Sequence, residues 1–248
     1  MMMKKWEDLP ESMQTDEVRK YYDILKKKSV SLFFKRCFDV VVALILLALL
    51  LPVFIIVAIA IKIDSKGPVF YRQERVTQYG EVFRIFKFRT MVVDADKIGA
   101  HVTTKDDPRI TRVGRVIRKL RLDEICQLID ILRGTMTFVG TRPEAIKYVE
   151  HYTPEMMATL LLPAGVTSLA SILYKDEDKL LEGVSDPDAV YINEVLPAKM
   201  KYNLRALETV SFFGDIKLMF MTVFAVLGVK FKDELKEEKE RETQTQEV

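Results

Sequence analysis

The stretch Val40–Ile61, VVVALILLALLLPVFIIVAIAI, runs for twenty-two residues without a charge. A helix that crosses the hydrocarbon core of a bilayer needs roughly 20 such residues. The run lies too deep in the chain and is too long for a secretory signal peptide, and no small-residue cleavage site follows it. Membrane association is therefore expected. Lys26, Lys27, Lys28, Lys35 and Arg36 precede the run, and Lys62, Lys66, Arg72 and Arg75 follow it. Basic flanks prefer the cytoplasmic face, so both ends favour the same side. Pro52, mid-run, lacks the N–H that a helix interior needs and bends it. The expected element is a re-entrant helix over 31–66, and a Pro-kinked spanning helix is the competing reading.

Working outward, PVFYRQERV and EVFRIFKFRTM alternate apolar and polar residues on either side of TQYG. This predicts a β-hairpin with Gly80 in its turn. Arg84, Lys87 and Arg89 in the second strand offer a platform for anionic groups. Residues 92–108 read as a helix followed by a polar loop. In ITRVGRVIRKL, Ile110, Val113, Ile117 and Leu120 share one helical face, with Arg112, Arg115, Arg118 and Lys119 around the rest. A new helix is expected from Asp123 to Gly134 on the stripe Leu122, Ile125, Leu128, Ile129 and Leu132, which places Asp123 at its N-cap.

Further along, MTFV reads as a short strand, and turns are expected at Gly140–Arg142–Pro143 and at Pro163–Gly165. The acidic segment 176–188 reads as a solvated loop, and Tyr191–Leu207 as a helix interrupted near Pro197. The apolar segment 218–229 is too short to span and suits an interfacial helix. Residues 1–30 read as a surface extension with a weak stripe of Tyr21, Tyr22, Ile24 and Leu25, and 231–248 as a charged disordered tail.

The formal charge of the 248 residues is +2, which with the apolar run argues against a nucleic-acid binder. Cys37 and Cys126 make neither a disulfide framework nor a metal spacing, and His101 and His151 stand alone. Neither a GxxxxGK[ST] loop nor a GxGxxG fingerprint occurs. The chemistry gathers instead in Arg118–Glu144, RKLRLDEICQLIDILRGTMTFVGTRPE. Asp123 and Glu124 follow Arg112, Arg115, Arg118, Lys119 and Arg121, and nearby positive charge favours ionised carboxylates. A helix N-terminus also attracts anions, so a candidate nucleophile stands where a phosphate can bind. Two plainer readings compete: a solvated pair of surface charges, and Asp123 as a cap.

The ordered set KRCFD, GPVFYRQERV, FRIFKFRTM, DPRITRVGRVIRKLRLDEICQLIDILRG, FVGTRPE and SFFGDIKLMF resembles the bacterial sugar transferases, the small monotopic phosphoglycosyl transferases, over about residues 31–230. The resemblance implies an α+β, mostly helical fold: a monotopic membrane protein with one re-entrant helix, a β-hairpin and amphipathic interfacial helices. The catalytic domain would occupy 67–230, on the cytoplasmic face of the bacterial inner membrane. The implied reaction transfers a sugar-1-phosphate from a UDP-sugar to undecaprenyl phosphate and releases UMP, initiating a surface glycan. By resemblance Asp123 is the nucleophile that forms a phosphosugar-enzyme intermediate, and Glu124, with Asp123, holds Mg2+. Arg118 contacts phosphate, and Lys87 and Arg142 match further positively charged site positions.

A carboxylate attacking a diphosphate faces like-charge repulsion, so magnesium and preorganised cations must neutralise the site. Membrane phospholipid is an implied partner, self-association is compatible with the chain, and nucleic acid is not expected. Four departures from the family pattern stand out: Leu51 before Pro52, Ile125-Cys126 after the dyad, Thr141, and LPAGVTSLASILYKDED around Pro163. The last of these bears on sugar choice. The alternative class is a non-enzymatic membrane-anchored adaptor that binds anionic lipid or nucleotide through its basic residues.

Overall fold

The computed structural model describes residues 3–95, 107–175, 180, 183–184, 186–229 and 231. The helix and loop expected over 92–108, the acidic loop over 176–188 and the charged tail lie mostly outside the described residues. The fold is mostly helical, with two small sheets among the described residues.

Thr15 caps helix α1, Asp16–Lys27, its hydroxyl accepting from the Val18 N–H at 3.4 Å. Asp16 and Glu17 in the first turn and Lys26 and Lys27 in the last suit the helix dipole. The α1 stripe packs firmly: Val18, Tyr21, Tyr22 and Leu25 share one core with Met13, Leu32, Leu161 and Leu207. Burial of this size, at about 25 cal/mol per Å² of apolar surface, ties the first thirty residues into the main body.

Helix α2, Ser29–Asp64, is one continuous 36-residue helix that runs through Pro52. The missing Pro52 N–H deprives the Ala48 carbonyl of its donor without ending the helix. One side packs on the body through Ala43, Phe54, Val57 and Ile61. The other leaves Leu44, Ile45, Leu49, Ile55, Ile56 and Ile59 exposed. Both ends are pinned. At the first, Lys35 pairs with Asp215 at 2.6 Å, Arg36 donates to the Ile131 carbonyl at 2.7 Å and the Thr137 hydroxyl donates to Asp39 at 2.5 Å. At the second, Asp64 accepts the Val113 N–H at 2.9 Å.

Strands β1, Phe70–Val76, and β2, Val82–Phe88, form the expected antiparallel hairpin, with Phe70 opposite Phe88 and Val76 opposite Val82. In its turn Tyr79 and Gly80 have φ of 60° and 77°. Glycine accepts this freely; tyrosine is held by its buried ring and by the Lys4 N–H, which donates to its hydroxyl at 2.9 Å. The three-cation platform expected on the second strand is corrected. Arg84 pairs with Glu74 at 3.0 Å, and Arg89 is buried past the strand end, donating to the Ser65 and Lys66 carbonyls. Lys87 alone of those three reaches the carboxylate dyad described below.

Thr111 caps α3, Arg112–Lys119. Arg121 then turns left-handed at φ 56°, and Leu122–Glu124 wind as a 3-10 turn. Helix α4 runs only from Gln127 to Arg133 and closes on Gly134 at φ 87°. Asp123 is therefore not an N-cap. The left-handed Arg121 redirects the chain, and the regular i→i+4 pattern begins after Cys126, so the buried face of α4 moves to Gln127, Leu128 and Ile131.

Strand β3, Met136–Val139, pairs in parallel with β4, Ala164–Thr167, where a turn was expected at Pro163 and Gly165. Gly165 makes the pairing possible, since a Cβ there would lie 2.2 Å from the Gly140 backbone. A helical run from Pro187 passes through the π segment Tyr191–Val195 into α5, Leu196–Thr209. That segment is the interruption expected near Pro197. Ser211 caps α6, Phe212–Val226, which starts before the apolar run and exposes Phe213, Phe220, Val223 and Phe224.

Gly165→Ala should force the β3–β4 backbones apart and destabilise the protein by about 1–3 kcal/mol. In detergent micelles this lowers the thermal unfolding midpoint by several degrees; an unchanged midpoint would show that the contact is not tight.

Candidate active site

The 3-10 turn that carries Asp123 and Glu124 is held by its apolar members. Leu122, Ile125 and Cys126 pack with Phe88 of β2, Ile117 of α3, and Phe54, Val57 and Ile61 of α2. Burial pushes the Cys126 thiol up, so it serves as an apolar filler rather than a nucleophile. The turn thereby presents two adjacent carboxylates toward the hairpin and the segment after β3.

Arg142 donates from Nη2 to Glu124 Oε1, and Lys87 Nζ stands 3.7 Å from the same oxygen. Arg142 Nη1 also donates to the Val166 carbonyl at 3.3 Å, so β4 orients the guanidinium. Burial opposes ionisation of Glu124. The charges of Arg142 and Lys87, the Arg142 hydrogen bond and the Arg121 charge outweigh it and hold this carboxyl at about 2.

Asp123 behaves oppositely. Burial first, and the Glu124 charge second, raise it above the ordinary carboxylate value, against the opposing effects of Lys87 and Arg118. Asp123 Oδ1 is buried and accepts no hydrogen bond. The expectation that the basic surroundings govern both carboxylates is thus corrected at Asp123. Burial also lowers Lys87, with Glu124 opposing.

Magnesium is usually bound by one or two protein carboxylates plus substrate phosphates. The unpartnered Asp123 Oδ1 beside an ionised Glu124 fits that donor set. Among the described residues no group of three or more His, Cys, Asp or Glu offers a fuller cage.

Of the residues expected from sequence, Lys87, Glu124 and Arg142 meet directly, and Asp123 adjoins them. Arg118, on α3, adds positive charge at Asp123 and at Asp107. Arg112, Arg115 and Lys119 are exposed on α3. Sequence reasoning passed over a buried group next to Arg142. The Tyr191 hydroxyl donates to Glu144 Oε1 at 2.7 Å, and Lys199 Nζ donates to that oxygen at 3.2 Å and to the Tyr191 hydroxyl at 2.9 Å. Its signal was Lys199 on the helical stripe Leu196, Met200, Asn203 and Leu207, where a charge must find a buried partner.

Glu124 is depressed from 4.5 to about 2, so its ion pairs stabilise the fold fully above about pH 4.5, and this contribution is lost as pH falls through about 2. Arg142→Ala should remove a stabilisation on the order of 3 kcal/mol at pH 7 and flatten that part of the acid dependence. Unfolding in metal-free detergent buffer across pH 2–7 checks both; equal acid profiles for the two proteins would contradict the pairing.

The sequence profile of the bacterial sugar transferase family matches residues 30–229. A UDP-glucose:undecaprenyl-phosphate glucose-1-phosphate transferase of Klebsiella pneumoniae is 33% identical over 199 residues, covering 79% of this chain and 40% of that protein. Its namesake in Escherichia coli (strain K12) is 34% identical over 200 residues, with the same two shares. The exopolysaccharide production protein PSS of Rhizobium leguminosarum bv. phaseoli is 33% identical over 205 residues, covering 80% of this chain and 97% of that protein. The chain thus spans well under half the length of the first two relatives and nearly all of the third. By the extent of this match, the chain belongs to the bacterial sugar transferase family.

Proposed function

We propose that the chain transfers a sugar-1-phosphate from a UDP-sugar to undecaprenyl phosphate, the initiating step of a bacterial surface glycan. The observation that carries this reading is the asymmetric dyad: an ionised Glu124 clamped by Arg142 and Lys87, beside an Asp123 whose buried oxygen has no partner. The names of the relatives from Klebsiella and Escherichia supply the substrate class. A pure anion binder of the adaptor type gains nothing from two acids inside a cationic site.

In this reading the Asp123 carboxylate attacks the phosphorus that bears the sugar. The linking P–O bond breaks, UMP leaves with the bridging oxygen, and a phosphosugar is left on the aspartyl carboxylate. An oxygen of undecaprenyl phosphate then attacks the same phosphorus and frees Asp123, giving a lipid-diphosphate sugar. Lys87, Arg118 and Arg142 neutralise and orient the phosphates. Glu124, with Asp123, would hold Mg2+, which supplies further charge neutralisation. The buried setting of Asp123 leaves it weakly solvated, which favours attack.

A lipid acceptor requires a site at headgroup level. Both ends of α2 bind the same body, which supports a helix that enters and leaves on one face, here the cytoplasmic face of the inner membrane. The exposed apolar sides of α2 and α6 would then meet lipid.

Asp123→Asn should abolish UMP release across a panel of UDP-sugars with undecaprenyl phosphate in detergent, and leave the fold intact. Wild type given UDP-sugar alone should gain the mass of one phosphosugar on Asp123. Robust turnover by the Asn variant would sink this assignment. EDTA should stop the reaction and magnesium restore it; activity that persists in the chelator removes the metal from the mechanism. For topology, single cysteines near residues 20 and 78 in a Cys-free background should both stay protected from an impermeant thiol reagent in intact cells. Labelling of the upstream site alone would mean that α2 spans.

A further inference from the structure

The hairpin carries a second cation on the face that bears Lys87. Directly opposed residues of an antiparallel pair share a face, and residues two apart along a strand repeat it. Tyr71 stands opposite Lys87, so Tyr71, Gln73, Arg75 and Lys87 lie on one side of β1–β2. The next N–H along, that of Val76, donates to the Glu144 carbonyl at 3.0 Å and joins the end of β1 to the Arg142–Pro143–Glu144 turn. Arg75 therefore sits where the hairpin meets the turn that supplies Arg142.

Its charge is left over. Among the described residues Arg75 forms no ion pair, and its guanidinium donates to the carbonyl of its neighbour Glu74 at 3.3 Å. The carboxylate of the adjoining turn, Glu144, is occupied by Lys199 and the Tyr191 hydroxyl. Burial disfavours the charged form of Arg75, Glu144 supports it and Arg142 opposes it, while Lys87 in turn feels Arg75. Arg75, Lys87 and Arg142 are thus within electrostatic reach of one another, and Glu124 neutralises only part of their charge. A half-buried cation that no carboxylate among the described residues contacts directly is a group that a ligand can complete. Arg75 also lies roughly 13 Å along the strand from Tyr71, which pairs with Lys87, at about 3.3 Å per residue.

We propose that Arg75 is a further phosphate-binding residue, which joins Lys87 and Arg142 in neutralising the diphosphate of the UDP-sugar. This rests on the transferase reading above. The test compares full-length wild type, Arg75→Gln and Arg75→Lys in detergent, by calorimetric binding of UMP and by steady-state kinetics with the accepted UDP-sugar.

Loss of a charge-assisted hydrogen bond predicts that Arg75→Gln binds UMP about 10- to 100-fold more weakly and raises KM similarly. Its kcat should change less, its unfolding midpoint should hold, and Arg75→Lys should recover part of the affinity. A purely structural role would instead lower kcat and the midpoint together. UMP affinity and KM equal to wild type in Arg75→Gln would overturn the proposal while leaving the transferase reading intact. Wild type that neither binds UMP nor turns over any UDP-sugar would overturn both.

Discussion

A carboxylate kept ionised in a partly dry site must have cations fixed against it, because an unpaired buried charge costs several kcal/mol. Glu124 imposes that requirement on three distant parts of the chain. It rides on the turn between α3 and α4, Lys87 comes from the hairpin, and Arg142 comes from the segment after β3. Another contact of Arg142, to the Val166 carbonyl, helps hold its guanidinium toward Glu124. That contact depends on β4 lying against β3, which the Gly140–Gly165 approach permits. One ion pair thus explains why a small parallel sheet and a separate antiparallel hairpin coexist around so short a turn.

Helix α2 provides the floor for this arrangement. Its inner side fills the space beneath the hairpin and the dyad turn through Phe54, Val57 and Ile61. The buried Lys35–Asp215 pair locks its start to α6, and Asp39 reaches Thr137 on β3. Removing one partner of such a pair strands the other without solvent, so these contacts fix the geometry more than they add stability. The exposed apolar sides of α2 and α6 are therefore held in a fixed mutual orientation by polar bonds on their hidden sides.

Much of this was legible in the sequence because it rests on short-range rules. The hairpin followed from period-two alternation around Gly80, α3 from its periodic apolar residues, and the end of α4 from Gly134. The long helix followed from sheer apolar length. What escaped reading was long-range. A parallel pairing between Met136 and Ala164 leaves no local trace, so Pro163–Gly165 read as a turn. The left-handed Arg121 broke the register that seemed to start a helix at Asp123. In the site, Lys87, Glu124 and Arg142 were legible as charges in motifs, whereas Arg75 and Lys199 needed the fold to show what they face. The sign of the Asp123 shift could not be read either, since burial competes with charge and only coordinates reveal burial.

The buried, unpartnered oxygen of Asp123 also has an evolutionary side. A carboxylate raised above its ordinary value weakens the folded state whenever it is ionised. The fold would be more secure with a neutral or apolar side chain at this position, and its neighbours Leu122, Ile125 and Cys126 already show how readily the turn packs without charge. Selection for robustness alone would therefore drift away from aspartate at 123, and a stability-guided redesign would be drawn to replace it first. Under the transfer reaction proposed above, a weakly solvated carboxylate at 123 would set stability and turnover pulling in opposite directions at this one position.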